Sequence, residues 1–221
     1  MNTAKILDFL NELKQNNTRE WFQQNRPRYE LLRADFESFL NELIPEVYKF
    51  DPGIGLITAK DCIFRIYKDI RFSKDKTPYK TNFGAFIAEN GRKSLKAGYY
   101  VHLDPEESFL GGGLYMPPPD ILKQVRQEIF FTSEELMRIM NEDAFQRIYG
   151  GLHDMEDKLK KPPRDYPLDF KDIELLKHKS YTVWHTLSVD ALSSVTLLKD
   201  ILYKFKAMAS FNAYLNRVFE K

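Results

Sequence analysis

The chain changes the spacing of its apolar residues twice, and these changes limit the folds that it can adopt. Up to about residue 53, apolar side chains recur every three or four residues, as on one face of a helix. After Gly55 they alternate with polar residues, as in a strand, and after Pro119 the helical spacing returns. Because helices and strands are segregated along the chain, we expect an α+β protein in which a mainly antiparallel sheet packs against N-terminal and C-terminal helices.

Helices are predicted on both sides of the sheet segment. The first spans residues 3–15, and a second starts after Thr18, a residue that can cap a helix. Pro27 either begins a new helix or kinks a continuing one, and the helical pattern ends near Asp51. On the C-terminal side, helices are expected over Asp120–Phe131, after Ser133, and from Leu192 to Phe219.

The strand-like segments lie mostly between residues 60 and 116. They are Cys62–Phe72, Asn82–Glu89, Ala97–Asp104 and Ser108–Met116, with one more at Lys179–Leu187. In the first segment, alternation places Arg65, Tyr67, Asp69 and Arg71 on one face. The loop Ser73–Pro78 and the turn signal Asn90-Gly91 separate the first three. No repeat or low-complexity stretch divides the chain, so we expect a single domain over residues 1–221.

Three consecutive glycines, Gly111, Gly112 and Gly113, interrupt the strand Ser108–Met116. Glycine loses more backbone entropy on folding than other residues, so a strand with three of them is destabilised unless another contact compensates. Either the glycines allow a bulge or a close approach of another part of the chain, or they allow a ligand to approach the backbone.

The segment Lys60–Lys96 concentrates positive charge. It carries ten lysines and arginines against four acids, a net charge of +6 in a chain whose total is +1. Aromatic residues are interleaved with the basic ones: Phe64, Tyr67, Phe72, Tyr79 and Phe83. This combination is typical of a surface that binds an anion, whereas the near-neutral total argues against a general nucleic-acid binder.

The candidate ligand-binding residues come from this segment and from the strands after it. Arg65 and Arg71 are predicted on one strand face, where a guanidinium can bind a carboxylate or phosphate with two hydrogen bonds. The adjoining loop contributes Ser73, Lys74, Lys76, Tyr79 and Lys80, and the next strands contribute Tyr100 and the three glycines. The alternative is that the arginines pair with Asp69, Asp75 and acids of the helices, with the lysines simply hydrated.

Several other kinds of site are not indicated. The four histidines lack metal-ligand spacing, no phosphate-binding glycine fingerprint or serine-hydrolase elbow occurs, and no cofactor is expected. Cys62, the sole cysteine, lies in an apolar run and is expected to be a buried small hydrophobe. The sequence shows no signal peptide and no run long enough to cross a bilayer, so we expect a cytoplasmic protein that does not contact a membrane.

Several motifs resemble one family. They are Asp69–Asn82 (DIRFSKDKTPYKTN), Ala97–Leu103 (AGYYVHL), Ser108–Gly113 (SFLGGG), Asn17–Phe22 (NTREWF) and Leu175–Lys179 (LLKHK). Together they are similar to a bacterial and fungal family designated domain of unknown function 2461, and the resemblance extends from about residue 5 to residue 215. It implies an α+β domain and supplies no mechanism.

These observations favour a domain that binds an anionic ligand at the basic sheet face and the Ser73–Lys80 loop. A phosphate-containing metabolite, a nucleotide or a segment of nucleic acid would fit. If a reaction follows, His102 is the candidate general acid or base, because it is the only histidine predicted on the basic polar face. The rival hypothesis is a non-catalytic interaction protein that docks an acidic partner through the same residues.

Overall fold

A computed structural model describes residues 1–71, 74–154 and 158–220. It confirms an α+β fold in which helices from both ends of the chain pack against an antiparallel sheet. The helices are α1 (Thr3–Gln15), α2 (Arg19–Phe50), α3 (Ala59–Cys62), α4 (Pro119–Met140), α5 (Asp143–Tyr149), α6 (Val189–Ser193) and α7 (Leu197–Asn216). Short 3-10 turns cover Pro52–Ile54, Gly91–Lys93, Ile173–Lys177 and Arg217–Phe219.

Helix α2 is continuous through Pro27, so of the two alternatives a new helix does not begin there. The Thr18 hydroxyl caps its first turn by accepting a hydrogen bond from the Trp21 amide at 3.2 Å. Proline removes one backbone hydrogen bond from a helix interior. Burial of the apolar side of α2 offsets this cost, since eight of its side chains are buried: Phe22, Leu32, Phe36, Phe39, Leu40, Leu43, Ile44 and Val47.

The sheet contains β1 (Phe83–Ile87), β2 (Gly98–Leu103), β3 (Phe109–Leu114) and β4 (Tyr181–Thr186). Its strand order is β1-β2-β3-β4, and each neighbouring pair is antiparallel. Four of the predicted strand segments are therefore confirmed, with ends that differ by a few residues.

The strand expected at Cys62–Phe72 is absent from its described part, residues 62–71. Thr58 and Asp61 form a reciprocal capping box that folds the start of this segment into the helical turn α3. The chain then touches the edge of β1, where the Phe64 amide donates to the Gly84 carbonyl at 2.9 Å, and leaves it again. Arg65 and Arg71 therefore do not share a strand face.

The two faces of the sheet have different surroundings. Tyr99, Val101 and Leu103 of β2 are fully buried against the helices, as their alternation predicts. The Tyr99 ring lies 5.0 Å from that of Phe205 on α7, measured between centroids. On the opposite face, which we call the outer face, Tyr100 and His102 are half-buried.

The three glycines of β3 serve packing within the protein. A Cβ atom on Gly112 would lie 2.0 Å from Met208 Sδ, so this position lets α7 approach the sheet. Gly113 has φ +99°, and a Cβ there would lie 2.0 Å from the Tyr181 carbonyl oxygen. Gly111 is on the outer face, where the Phe109 ring leans over it at 3.5 Å from a Cβ position. The glycines thus fit the structural alternative.

Helix α4 bends at Thr132, whose backbone is not helical (φ −133°, ψ 29°), so the predicted division before Ser133 is found as a kink. The Thr132 hydroxyl donates to the Glu128 carbonyl at 2.9 Å and also lies 2.9 Å from the Tyr214 hydroxyl. Two asparagines of α7 hold the start of β2: Asn212 donates to the Gly98 carbonyl, and Asn216 pairs with both backbone groups of Ala97.

Candidate functional site

A basic cleft of about 440 Å³ opens between α2 and the segment Lys60–Tyr67. One wall is a stripe of α2 that flanks its buried face and has the spacing of one helix face. Its residues are Arg26, Tyr29, Glu30, Arg33, Ala34 and Glu37. The other wall comprises Lys60, the residues from Ile63 to Tyr67, and Arg92. The volume is within the range of small-molecule sites.

Backbone pairing fixes the second wall. Ile63 forms a bridge with Ala85 of β1. Further along, the Lys80 amide donates to the Ile66 carbonyl at 2.7 Å, and the Lys68 amide donates to the Pro78 carbonyl at 2.9 Å. These two bonds make a short antiparallel ribbon, which holds Tyr67 opposite Tyr79.

Positive charge exceeds negative charge in the cleft. Five arginine and lysine side chains line it with two glutamates, a net charge of +3. Glu30 accepts a hydrogen bond from Arg26 Nε at 2.8 Å. Glu37 lies 3.6 Å from Arg33 and 3.8 Å from Lys60, distances too long for hydrogen bonds.

The Arg92 guanidinium donates to two backbone carbonyls, those of Lys60 and Asp61. Because carbonyls are neutral, these two hydrogen bonds leave the positive charge of Arg92 uncompensated.

Arg65 and Lys80 are neighbouring cations, and the nearest acidic influence on Arg65 is that of Asp69, which Arg71 binds directly. Neither side chain forms an ion pair or hydrogen bond with any residue in the described ranges. The Lys80 ammonium lies 5.3 Å from the centroid of the Phe64 ring, a cation–π contact. Burial lowers the pKa of Lys80, and the charge of Arg65 lowers it further. Arg65 is exposed and Lys80 is half-buried, and the repulsion between them favours the binding of an anion nearby.

Arg71 is placed differently from the prediction. Its guanidinium makes two hydrogen bonds to the Asp69 carboxylate, at 2.9 and 2.7 Å. This contact, together with a hydrogen bond from the Arg71 amide, lowers the pKa of Asp69 to about 2. Arg71 is thus engaged by Asp69, which matches the alternative considered from the sequence.

None of the described residues of the predicted loop, 74–80, lines the cleft. Lys76 Nζ donates to the Ile70 carbonyl at 3.0 Å, and Lys74 is exposed. Lys68, in contrast, pairs with Asp75 at 2.5 Å, and this hydrogen bond is the main cause of a lowered Asp75 pKa. Ser73 lies outside the described residues.

Tyr79, predicted to touch a ligand, is a core residue. Only 3% of its surface is exposed, and its ring stacks on that of Phe22 with centroids 4.0 Å apart. Its amide and carbonyl both bond to the Asn17 side chain, at 3.1 and 3.0 Å. Tyr79 therefore supports the cleft wall from behind and does not line the cleft.

Tyr100 and His102 lie next to each other on the outer face. The Tyr100 hydroxyl is 2.9 Å from His102 Nδ1. Burial lowers the pKa of His102, against an opposing effect of Asp104 and Glu107, and burial raises the pKa of Tyr100 to about 12. The Phe64 ring meets Tyr100 edge-on at 6.1 Å, which separates this pair from the cleft. His102 does not line the cleft.

Aromatic rings continue across the outer face. His102 stacks on Phe109, Phe109 on Trp184, and Trp184 on His153, with centroid distances of 4.5, 3.3 and 4.8 Å. The ring of Phe109 lies over Gly111, 3.5 Å from the position of a Cβ atom, so a methyl group there fits with a small adjustment.

Several cleft residues escaped the sequence reasoning. Arg26 and Arg33 belong to α2, where the apolar pattern predicts core packing, and their spacing with Tyr29 and Glu37 marks a stripe that borders the apolar face. Lys60 and Arg92 were counted in the basic segment without being assigned to a site. The motif Thr58-x-x-Asp61 is a capping-box signal that could have identified α3.

Other kinds of site find no support in the part of the chain that the structure describes. No group of three or more histidine, cysteine, aspartate or glutamate side chains there could hold a metal ion. Cys62 is buried, and burial raises the pKa of its thiol to about 12. Among the helices of the described residues, none has the length and apolar character needed to span a membrane.

The fold and the cleft define an α+β protein with a basic cleft between its longest helix and the edge of an antiparallel sheet. The chain belongs to the family described as conserved hypothetical protein (DUF2461), which it matches over residues 5–214. No curated protein matches the chain, and no solved structure matches it.

Proposed function

We propose that this protein binds a small anionic ligand of the phosphate class in the basic cleft, with Arg65 of the lining as the principal cation. Lys80 lies beside the lining, over the Phe64 ring, and adds positive charge. The observation that carries the proposal is the net charge of +3 in the cleft lining, where Arg65 forms no ion pair with any described residue. Repulsion among these cations is an electrostatic cost of the empty protein, and a bound anion removes it.

The proposal concerns binding. Arg71, Tyr79 and the three glycines are engaged in contacts within the protein, and His102 lies outside the cleft. Acid–base catalysis by His102 therefore has no geometric support from this ligand site. We also propose a cytoplasmic location, because the one cysteine is unpaired and buried.

Thermal unfolding in the presence of different anions tests this function. A ligand that binds only the folded state at a hundredfold excess over its Kd stabilises the protein by about 2.7 kcal/mol. For a chain of this size that corresponds to a rise in Tm of about 5 °C or more. Phosphate, pyrophosphate and sulfate should be compared with chloride at equal ionic strength, because salt alone screens repulsion over about 10 Å at 0.1 M.

We expect at least one of these anions to raise Tm above the chloride control, and Arg65→Ala to remove the rise. Arg147→Ala, which changes an exposed arginine on α5, serves as the matched control and should leave it intact. If every anion performs like chloride, the proposal is wrong. Docking of an acidic protein through the exposed Lys74 would then be the hypothesis to pursue.

A further inference from the structure

The cleft contains more than an anion requires, and we infer that its ligand is a nucleoside phosphate whose base stacks on Tyr67. The phosphate would bind between Arg65 and the end of the cleft formed by Lys60 and Arg92. This inference rests on the proposed function, because it identifies the class of ligand for the same cleft.

The first observation is the position of Tyr67. Its side chain lines the cleft and is 48% exposed, although large aromatic residues are usually buried. Behind it, the rings of Phe22 and Tyr79 lie 6.1 and 5.4 Å away, measured between centroids. Because these buried rings and the backbone bridge to Tyr79 fix Tyr67, a planar group can stack on it with little loss of side-chain entropy.

The second observation is that the cleft also presents carboxylates. Glu37 forms ion pairs with Arg33 and Lys60 at 3.6 and 3.8 Å, too long for hydrogen bonds, so its oxygens can still accept hydrogen bonds from a ligand. A site for phosphate alone gains nothing from a carboxylate, which repels the anion. A nucleoside phosphate, in contrast, carries ribose hydroxyls and base N–H groups that can donate to it.

The third observation is the length and polarity of the cleft. From Arg26 to Glu37 the wall of α2 covers eleven residue steps, which is about 16 Å at the rise of a helix. The ring of Phe22, one turn before Arg26 on α2, lies 6.1 Å from that of Tyr67, so Arg26 and Tyr67 occupy the same end. Lys60 is close to Glu37 at the other end, where Arg92 donates to the Lys60 carbonyl. An aromatic end and a cationic end at this separation suit the two parts of a nucleotide.

Matched pairs of ligands separate the base from the phosphate. Binding of AMP, GMP, CMP and UMP should be compared with binding of ribose 5-phosphate by isothermal titration in a phosphate-free buffer. At least one nucleotide should bind about tenfold more tightly than ribose 5-phosphate, as base stacking on an aromatic ring provides. Tyr67→Ala should remove this difference without changing ribose 5-phosphate binding, and Tyr67→Phe should preserve it.

Tyr203→Ala, at an exposed tyrosine of α7, is the control and should behave like the parent. If ribose 5-phosphate binds as well as every nucleotide, the base is not recognised and this inference is overturned while phosphate binding stands. If Tyr67→Ala weakens ribose 5-phosphate and nucleotides equally, the ring supports the cleft and does not stack on a base.

If no phosphate ligand binds, the proposed function itself fails. If an eight-residue oligothymidylate binds far more tightly than TMP, the ligand is single-stranded nucleic acid and the mononucleotide assignment is wrong.

Discussion

The rings of Tyr79 and Phe22 stack with centroids 4.0 Å apart and planes inclined by 17°. This contact joins the loop after Lys76 to the first turns of α2, and it places the exposed ring of Tyr67 against a buried aromatic pair. Tyr79, which the sequence suggests as a ligand contact, therefore supports the cleft.

Removal of the Tyr79 ring should therefore destabilise the protein. We expect Tyr79→Ala to lower the free energy of unfolding by about 3 kcal/mol, the usual cost of deleting a large buried side chain. Tyr79→Phe should cost less than about 1 kcal/mol, because the hydroxyl makes no hydrogen bond to the described residues and only the ring packs. Urea unfolding followed by circular dichroism measures both values. Equal stability of Tyr79→Ala and the parent would exclude this packing role.

The three glycines of β3 should differ in their tolerance of alanine. Gly113→Ala combines positive φ with a clash against the Tyr181 carbonyl, and should cost about 3 kcal/mol or more. Gly112→Ala meets the flexible end of Met208 and the Gly98 carbonyl, and should cost about 1–3 kcal/mol.

Gly111→Ala should remain within about 1 kcal/mol of the parent, because its nearest contacts, at 3.3 and 3.5 Å, need only a small adjustment and strand alanines lose less entropy than glycines. The unfolding free energies of the three variants test this order. A Gly111→Ala variant that is the least stable of the three would contradict the assignment of Gly112 and Gly113 to internal packing.

The pKa of His102 predicts a pH dependence of stability. Burial disfavours the imidazolium, so the folded-state pKa lies below the ordinary value of about 6.5. The unfolded chain then binds a proton at a higher pH than the folded protein does, and the free energy of unfolding falls as pH drops below about 6.5. His102→Gln should lose this contribution.

The difference in unfolding free energy between His102→Gln and the parent should consequently shift in favour of the variant between about pH 7.5 and about pH 5. Urea unfolding at several pH values provides the measurement, and an NMR titration of the His102 ring gives the pKa directly. A ring that titrates above about 6.5 would show that Asp104 and Glu107 outweigh burial, and the predicted pH dependence would then be wrong.

Local patterns predicted much of the fold. Alternation in β2 placed Tyr99 and Val101 in the core and Tyr100 and His102 on the other face, because one face of this strand packs against helices. The same alternation also predicted a strand at Cys62–Phe72, and that prediction was wrong for the described residues 62–71. A capping box folds the first residues into a helical turn. The following residues pair with β1 at a single bridge, between Ile63 and Ala85, so alternation of apolar residues is not sufficient to predict a strand here.

The site was less accessible to sequence reasoning. Positive charge pointed to the segment Lys60–Lys96, of which Lys60, Arg65 and Arg92 line the cleft. Whether a basic residue is paired depends on its surroundings: Asp69 binds Arg71 with two hydrogen bonds, whereas Arg65 lines the cleft. The α2 wall of the cleft is brought to Arg65 by tertiary packing, which no local spacing encodes.

The central claim is that Arg65, and not Arg71, binds an anion. Isothermal titration of pyrophosphate into the parent, Arg65→Ala and Arg71→Ala tests it within one segment of the chain. We expect saturable binding by the parent, a loss of about tenfold or more in affinity for Arg65→Ala, and a change within about twofold for Arg71→Ala. Loss of binding in Arg71→Ala together with parent-like binding in Arg65→Ala would contradict the claim, as would a parent protein that does not bind pyrophosphate.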